Sequence, residues 1–161
     1  MNIVIRKARP EDLPAIQDLN YKLFLYDKDR DPDLNFEWPY QNEGKDYFLK
    51  RINENPGICF VAESSNKIVG YAAGRVNEAI DSTETVLRSE LENIYVDEEA
   101  RSRGAGKMLV QNLAEWAKSM NAHSMVVTAY AGNSGAIKFY EESGFSPFAT
   151  KLEMKLNTRN P

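Results

Sequence analysis

The run Arg101-Ser102-Arg103-Gly104-Ala105-Gly106 lies between a stretch rich in β-branched residues and an amphipathic stretch with helical spacing. Glycines at such a junction let the backbone approach a ligand closely, and the first N–H groups of the following helix have no partners inside it. An anion is the natural occupant, which makes the run a candidate phosphate cradle. The same two glycines would also serve a loop that only eases a strand into a helix, so the neighbourhood has to decide. A Walker loop needs Gly, four residues and then Gly-Lys-Ser/Thr, but Arg101 stands at the first glycine position and Met108 follows Gly106-Lys107. A dinucleotide fingerprint needs a third glycine where Leu109 stands. Neither nucleotide hydrolysis nor hydride transfer is supported.

Carboxylates offer the next chemistry. Glu92 lies in Leu91-Glu92-Asn93-Ile94-Tyr95-Val96, and strand parity puts Glu90, Glu92, Ile94 and Val96 on one face unless a bulge intervenes. Asn133, Ala136, Ile137 and Tyr140 stand at i, i+3, i+4 and i+7, so Asn133 and Tyr140 share one helix face roughly 10 Å apart. The single cysteine, Cys59, sits in Ile58-Cys59-Phe60-Val61-Ala62 and reads as a small buried hydrophobe. The single histidine, His123, falls in a turn after a helix, and the pair leaves too few soft ligands for a typical zinc site.

The elements that must position these residues follow from periodicity. Ile3 and Ile5 alternate as a first strand, Pro10 and Pro14 fit a turn and the first turn of a helix, and that helix runs to about Tyr26. A second helix covers Glu43 to Asn53. Ile58 to Glu63 and Ile68 to Val76, joined by Ser64-Ser65-Asn66-Lys67, form a hairpin. After a polar loop around Asp81, Thr85 to Val96 is a long central strand. Leu109, Leu113, Trp116 and Met120 give the helix from about Ala105 to Met120 one buried face. Ser124 to Ala129 is a short strand, Ser134 to Ser143 a helix closed by Gly144, and Phe148 to Leu156 a final strand or hairpin. The order is mixed α/β, one sheet with helices on both faces.

At 161 residues the chain has the length of one domain, residues 1–161, able to bury a core without staples. With 42% apolar and 27% charged residues and a mean hydropathy of −0.53, the composition is that of an ordinary globular chain. No stretch approaches a membrane span and no leader precedes the first strand, so a cytoplasmic protein without a membrane partner is expected. The net charge of −4 argues against a nucleic-acid binder. The acidity is local: from Asp27 to Asp46 seven acids face three bases, an excess equal to that of the whole chain.

The glycine loop resembles the acetyl-coenzyme A loop of the GNAT superfamily of N-acetyltransferases, Arg/Gln-x-x-Gly-x-Gly/Ala, through Arg101, Gly104 and Gly106. Leu91 to Val96 resembles that family's central strand. Asn133, Ala136, Phe139, Tyr140, Gly144 and Phe145 resemble its second motif, Asn-x-x-Ala-x-x-Phe-Tyr-x-x-x-Gly-Phe. Ser102 replaces a frequent glycine and Ala100 a frequent aromatic. The resemblance implies a single mixed, mostly antiparallel sheet of about six or seven strands flanked by helices. It also implies an enzyme that moves an acetyl group from acetyl-CoA directly to a primary amine, with no metal. Homodimers are common in that family.

By the same resemblance the main chain of Ile94, Tyr95 and Val96 would pair with the pantetheine arm. Backbone N–H groups across Arg101, Ser102, Arg103, Gly104, Ala105, Gly106 and Lys107 would hold the pyrophosphate, with the helix dipole adding about 0.3–1 kcal/mol. Asn133 and Ala136 would contact the pantetheine region, and Tyr140 would protonate the departing sulfur. Glu92, or Glu90 behind it, would be the base or the group that orients the amine, through a water if need be. The acidic loop falls where the family lines its acceptor groove, so a polyamine-like cation is the favoured acceptor, with Trp38 and Tyr40 placed to stack on it or to close the loop onto the core. A peptide N-terminus or lysine is the alternative acceptor. From another class, a coenzyme A sensor would keep the cradle and lack turnover.

Overall fold

The structure is a computed structural model and describes residues 2–81 and 83–156. Strand β1 (Val4–Lys7) leads through a 3-10 turn, Pro10–Asp12, into α1 (Leu13–Asp27), where Pro14 occupies the first turn as its missing N–H requires. Helix α2 (Asn42–Asn53), the hairpin β2 (Gly57–Ser64) and β3 (Lys67–Asp81), and β4 (Glu84–Val96) follow. Helix α3 (Ala105–Ser119), β5 (Ser124–Val127) and α4 (Ser134–Glu142) complete the order. The loop expected around Asp81 is a tight connection, because Asp81 already pairs with Glu84; position 82 lies outside the described residues. Among the described residues no helix is long and apolar enough to cross a membrane.

The sheet order is β1-β2-β3-β4-β5, antiparallel except for β5, which runs parallel to β4. Alternation along β2 builds two cores. Ile58, Phe60 and Ala62 meet Leu109, Val110, Leu113 and Ala117 of α3 on one face. Cys59 and Val61 meet Ile16 and Leu19 of α1 and Phe48 of α2 on the other. Cys59 is buried, and burial pushes its thiol up, as a packing residue requires. The expected α3 stripe is core: Leu109 and Leu113 are fully buried, and Trp116 nearly so.

The sheet has five strands among the described residues, where six or seven were expected. The difference lies at Phe148 to Leu156, which enters no ladder. Its apolar side chains Phe148, Leu152, Met154 and Leu156 alternate as in a strand yet are 79–88% exposed. Strand pattern alone does not make a strand; the backbone needs a neighbouring edge to satisfy its N–H and C=O groups.

Candidate active site

A bulge opens the site. Ala73 pairs with Asn93 but Gly74 pairs with Leu91, which leaves Glu92 as the extra residue of β4. Parity therefore reverses at Glu92, and the expected common face of Glu90, Glu92, Ile94 and Val96 does not form. Leu91 and Val96 instead share the α3 face, with Ile94 packed against the same core. Glu92 turns to the α2 face, toward Tyr47 and Arg51. The parallel pairing of β4 with β5 also ends there, at Leu91 and Val127. Beyond it the two strands part, and Glu92 to Val96 face Thr128 to Tyr130 across a cleft of about 890 Å³. The main chain of Ile94 and the N–H of Val96, which point away from β3 on the two sides of Tyr95, are thus an open ladder edge, while Val96 O is taken by Arg101.

The glycine loop closes one end of the cleft. Ser102 and Gly104 both take left-handed backbone, at φ 63° and 83°. Gly104 is the residue before α3, and the first intrahelical bond runs from Met108 N–H to Gly104 O at 2.9 Å. The N–H groups of Ala105, Gly106 and Lys107 are left without helical acceptors. The two glycines differ in purpose. A Cβ on Gly104 would meet nothing within 4 Å, so its left-handed φ is the reason for glycine; a Cβ on Gly106 would stand 3.1 Å from the Phe139 ring. Arg101 is committed to the loop itself. Its Nε donates to Val96 O at 2.9 Å, and its guanidinium lies over the rings of Tyr95 and Tyr26 at 5.2 and 5.4 Å. Ser102, Gly104, Ala105, Gly106 and Lys107 line the cleft together with Arg101, whereas Arg103 does not.

Helix α4 supplies the opposite wall. Asn133, buried, caps it by accepting from Ala136 N–H at 3.1 Å, a bond the family resemblance did not foretell. Ala136 and Tyr140 line the cleft beside it. Phe145 N–H returns to Tyr140 O at 3.0 Å across Gly144 at φ 103°, the closure expected of that glycine. Tyr140 is wedged between Phe139 and Phe145, at 5.3 and 5.7 Å between ring centroids. Burial, with a smaller contribution from the charge of Asp27, pushes its phenol up to about 12.

Glu92 lines the cleft, but both its oxygens are taken. Oε2 accepts from Arg51 Nε at 2.6 Å and from Tyr47 Oη at 2.9 Å; Oε1 meets Arg51 Nη2 at 2.9 Å and Arg75 Nε at 3.0 Å. Glu90 meets Arg75 at 3.6 Å and lies outside the cleft lining. Of the seven acids between Asp27 and Asp46, only Asp27 and Asp31 line the cleft. Asp31 accepts from Tyr130 Oη at 2.9 Å, and Asp33 pairs with Lys155 at 2.9 Å, so the loop is tied across the mouth. Trp38 packs on Tyr47 and Phe48, and Tyr40 donates to Asp18 at 2.8 Å, so both close the loop onto the body of the protein. Asp27, Asp31, Tyr130 and the α1 residues Leu23, Phe24 and Tyr26 are wall residues that the motifs did not mark. The acidic run signalled Asp27 and Asp31 alone. Among the described residues no group of three or more His, Cys, Asp or Glu is placed to hold a metal ion.

The model of the Acetyltransferase (GNAT) family matches residues 23–145. An uncharacterized N-acetyltransferase of Methanocaldococcus jannaschii is 28% identical over 142 residues, 88% of this chain and 59% of that protein. This chain therefore spans about three-fifths of that relative's length. An N-alpha-acetyltransferase of Sulfurisphaera tokodaii is 27% identical over 146 residues, 88% of this chain and 78% of that protein. The crystallised aminoglycoside N-acetyltransferase AAC(6')-Iy in complex with CoA shares the fold, with a TM-score of 0.76 at 16% identity over 98% of this chain and 96% of that one.

Proposed function

The chain belongs to the acetyltransferase (GNAT) family, and on that premise we propose that it transfers the acetyl group of acetyl-CoA to the primary amine of a small cationic acceptor. The observation that carries this reading is the parting of β4 from β5 at the Glu92 bulge, directly onto the N-terminus of α3, with Tyr140 in the same cleft. The residues present fit acetyl-CoA. An open strand edge suits the amide groups of pantetheine, and the turn at Ser102 to Lys107 offers N–H donors to a pyrophosphate. Acetyl-CoA supplies the activated acyl group. The main chain near Ile94 and Val96 holds the pantetheine arm and polarises the thioester carbonyl, and Asn133 and Ala136 bound the arm from α4. Tyr140, protonated throughout the neutral range, gives its proton to the departing sulfur.

In this reading Glu92 is neither the base nor the amine-orienting group that the resemblance implies. A carboxylate shared by two guanidinium groups and a phenol is a strut: it holds Tyr47 and the bulge in place. In this reading residues 1–161 act as one domain. The acidic wall at Asp27 and Asp31 favours a small cation as acceptor. A peptide N-terminus is the second reading, favoured by the N-alpha-acetyltransferase relative. Thiol release from acetyl-CoA, followed with polyamines, aminoglycosides and short peptides, tests both. Amine-dependent release is expected, highest with the small cations; peptide-only release moves the acceptor to the second reading, and binding without release makes the protein a sensor.

The proposal includes a homodimer built on the unpaired segment Phe148 to Leu156. Set antiparallel to its own copy about Leu152, the segment places Lys151 opposite the copy's Glu153 and Phe148 opposite its Leu156. Charge and apolar patterns both match in that register. Lys151 and Glu153 also line the cleft, so the pairing would brace the acceptor wall.

A further inference from the structure

Acetyl transfer needs a neutral amine, while a primary alkylamine is a cation at pH 7, so something must take its proton. Glu92 is badly placed for that because four donor atoms of three residues fill both its oxygens. Asp27 is different. It ends α1, is 9% exposed and lines the cleft. Its Oδ1 accepts from Arg30 Nη1 at 3.2 Å, and no hydrogen bond among the described residues reaches Oδ2. Its charge also acts on Tyr140, which puts acid and carboxylate on the same stretch of the cleft.

On the reading that this is an acetyl-CoA-dependent N-acetyltransferase, we propose that Asp27 is the residue that binds the acceptor ammonium and receives its proton. The amine nitrogen then bonds to the acetyl carbon and the carbon–sulfur bond breaks. Two protons leave nitrogen between ammonium and amide. One passes to Asp27 and on to solvent; the other replaces the proton that Tyr140 gives the sulfur. The surroundings of Asp27 suit this work. Burial pushes its carboxyl up, Arg30 opposes that push, and the neighbouring Asp31, held by Tyr130, adds to it. A carboxyl raised from its ordinary range is a better proton acceptor than an unperturbed one.

The test uses Asp27→Asn, which keeps the side chain's shape, and two acceptors of equal length. A primary alkylamine must lose a proton before it attacks; an alkoxyamine is already neutral at pH 7. kcat/KM should fall about 100-fold for the alkylamine and less than about 5-fold for the alkoxyamine, with acetyl-CoA affinity by calorimetry unchanged. Equal losses on both amines, or unchanged alkylamine turnover, overturn the assignment. Arg30→Gln guards against a folding artefact, because it leaves the carboxylate in place. That variant should keep alkylamine turnover within about 3-fold, and an about 100-fold loss there would assign the effect to the ion pair and overturn the proposal. Wild-type protein that releases thiol with neither amine overturns the transfer reading itself, whereas the other adverse results strike Asp27 alone.

Discussion

Tyr140 and Glu92 both lie in segments that resemble the family's, and their surroundings separate them. Tyr140 sits in the cleft with its phenol pushed up to about 12 by burial and by Asp27. An acid with a raised value keeps its proton until the pH passes that value, so Tyr140 remains a donor through the neutral and mildly basic range. Tyr140→Phe should lower kcat about 100-fold and leave KM for acetyl-CoA within about 2-fold, measured by steady-state thiol release. No limb of the wild-type pH profile below pH 10 should vanish with that substitution. In the proposed reading Glu92 is a positioning residue. Arg51→Met removes two of its hydrogen bonds together with the guanidinium that lies 4.6 Å from the Tyr47 ring centroid, and should cost about 2 kcal/mol in chemical denaturation. The same variant should raise KM for the amine and spare that for acetyl-CoA. Helical spacing from Asn133 marked Tyr140, and Glu92 stood out through its place on the long strand, although the bulge turns it to another face. Spacing could not mark Asp27, whose role rests on one oxygen left open by a neighbour three residues on.

At the scale of elements, the helices and the five strands were legible because their apolar residues face the two cores of the sheet, and the period of those residues follows from that burial. The bulge was not. Strand parity predicts a single register, and only the pairing of Gly74 with Leu91 shows where it slips. Glycine spacing marked the loop, but Gly106 serves the contact of α3 with α4. Gly106→Val should push the Phe139 ring away, cost about 2 kcal/mol in thermal unfolding and raise KM for acetyl-CoA, whereas Gly104→Ala meets no atom and should cost about 1 kcal/mol through its backbone alone. The entry to α1 carries a pH signature. Hydrogen bonds from Arg6 hold the Asp12 carboxyl below its usual range, at 2.7 and 2.9 Å. A lowered folded value means the stabilisation is complete above the unfolded value, about 3.9, and is lost as the pH falls through the folded one. Melting temperature should therefore drop below pH 4 in the wild type, and drop less steeply in Arg6→Gln.

The whole molecule depends on what covers Phe148, Leu152, Met154 and Leu156, all at least 79% exposed in the single chain. The sequence pattern called for a strand there, and the missing partner is what the isolated fold does not contain. Leu152→Lys sets two like charges face to face at the centre of the proposed pairing. By analytical ultracentrifugation the wild type should sediment as a dimer and the variant as a monomer, with a raised KM for the amine. A wild-type monomer, or a variant that still dimerises, would dismiss that segment as the interface. The most direct test of the account as a whole is the stoichiometry of turnover: free thiol released from acetyl-CoA against N-acetylated amine found by mass spectrometry. The account predicts one acetylamine per thiol with a small cationic acceptor. Thiol release that leaves every amine unmodified, or no release at all from protein that binds acetyl-CoA, would contradict it.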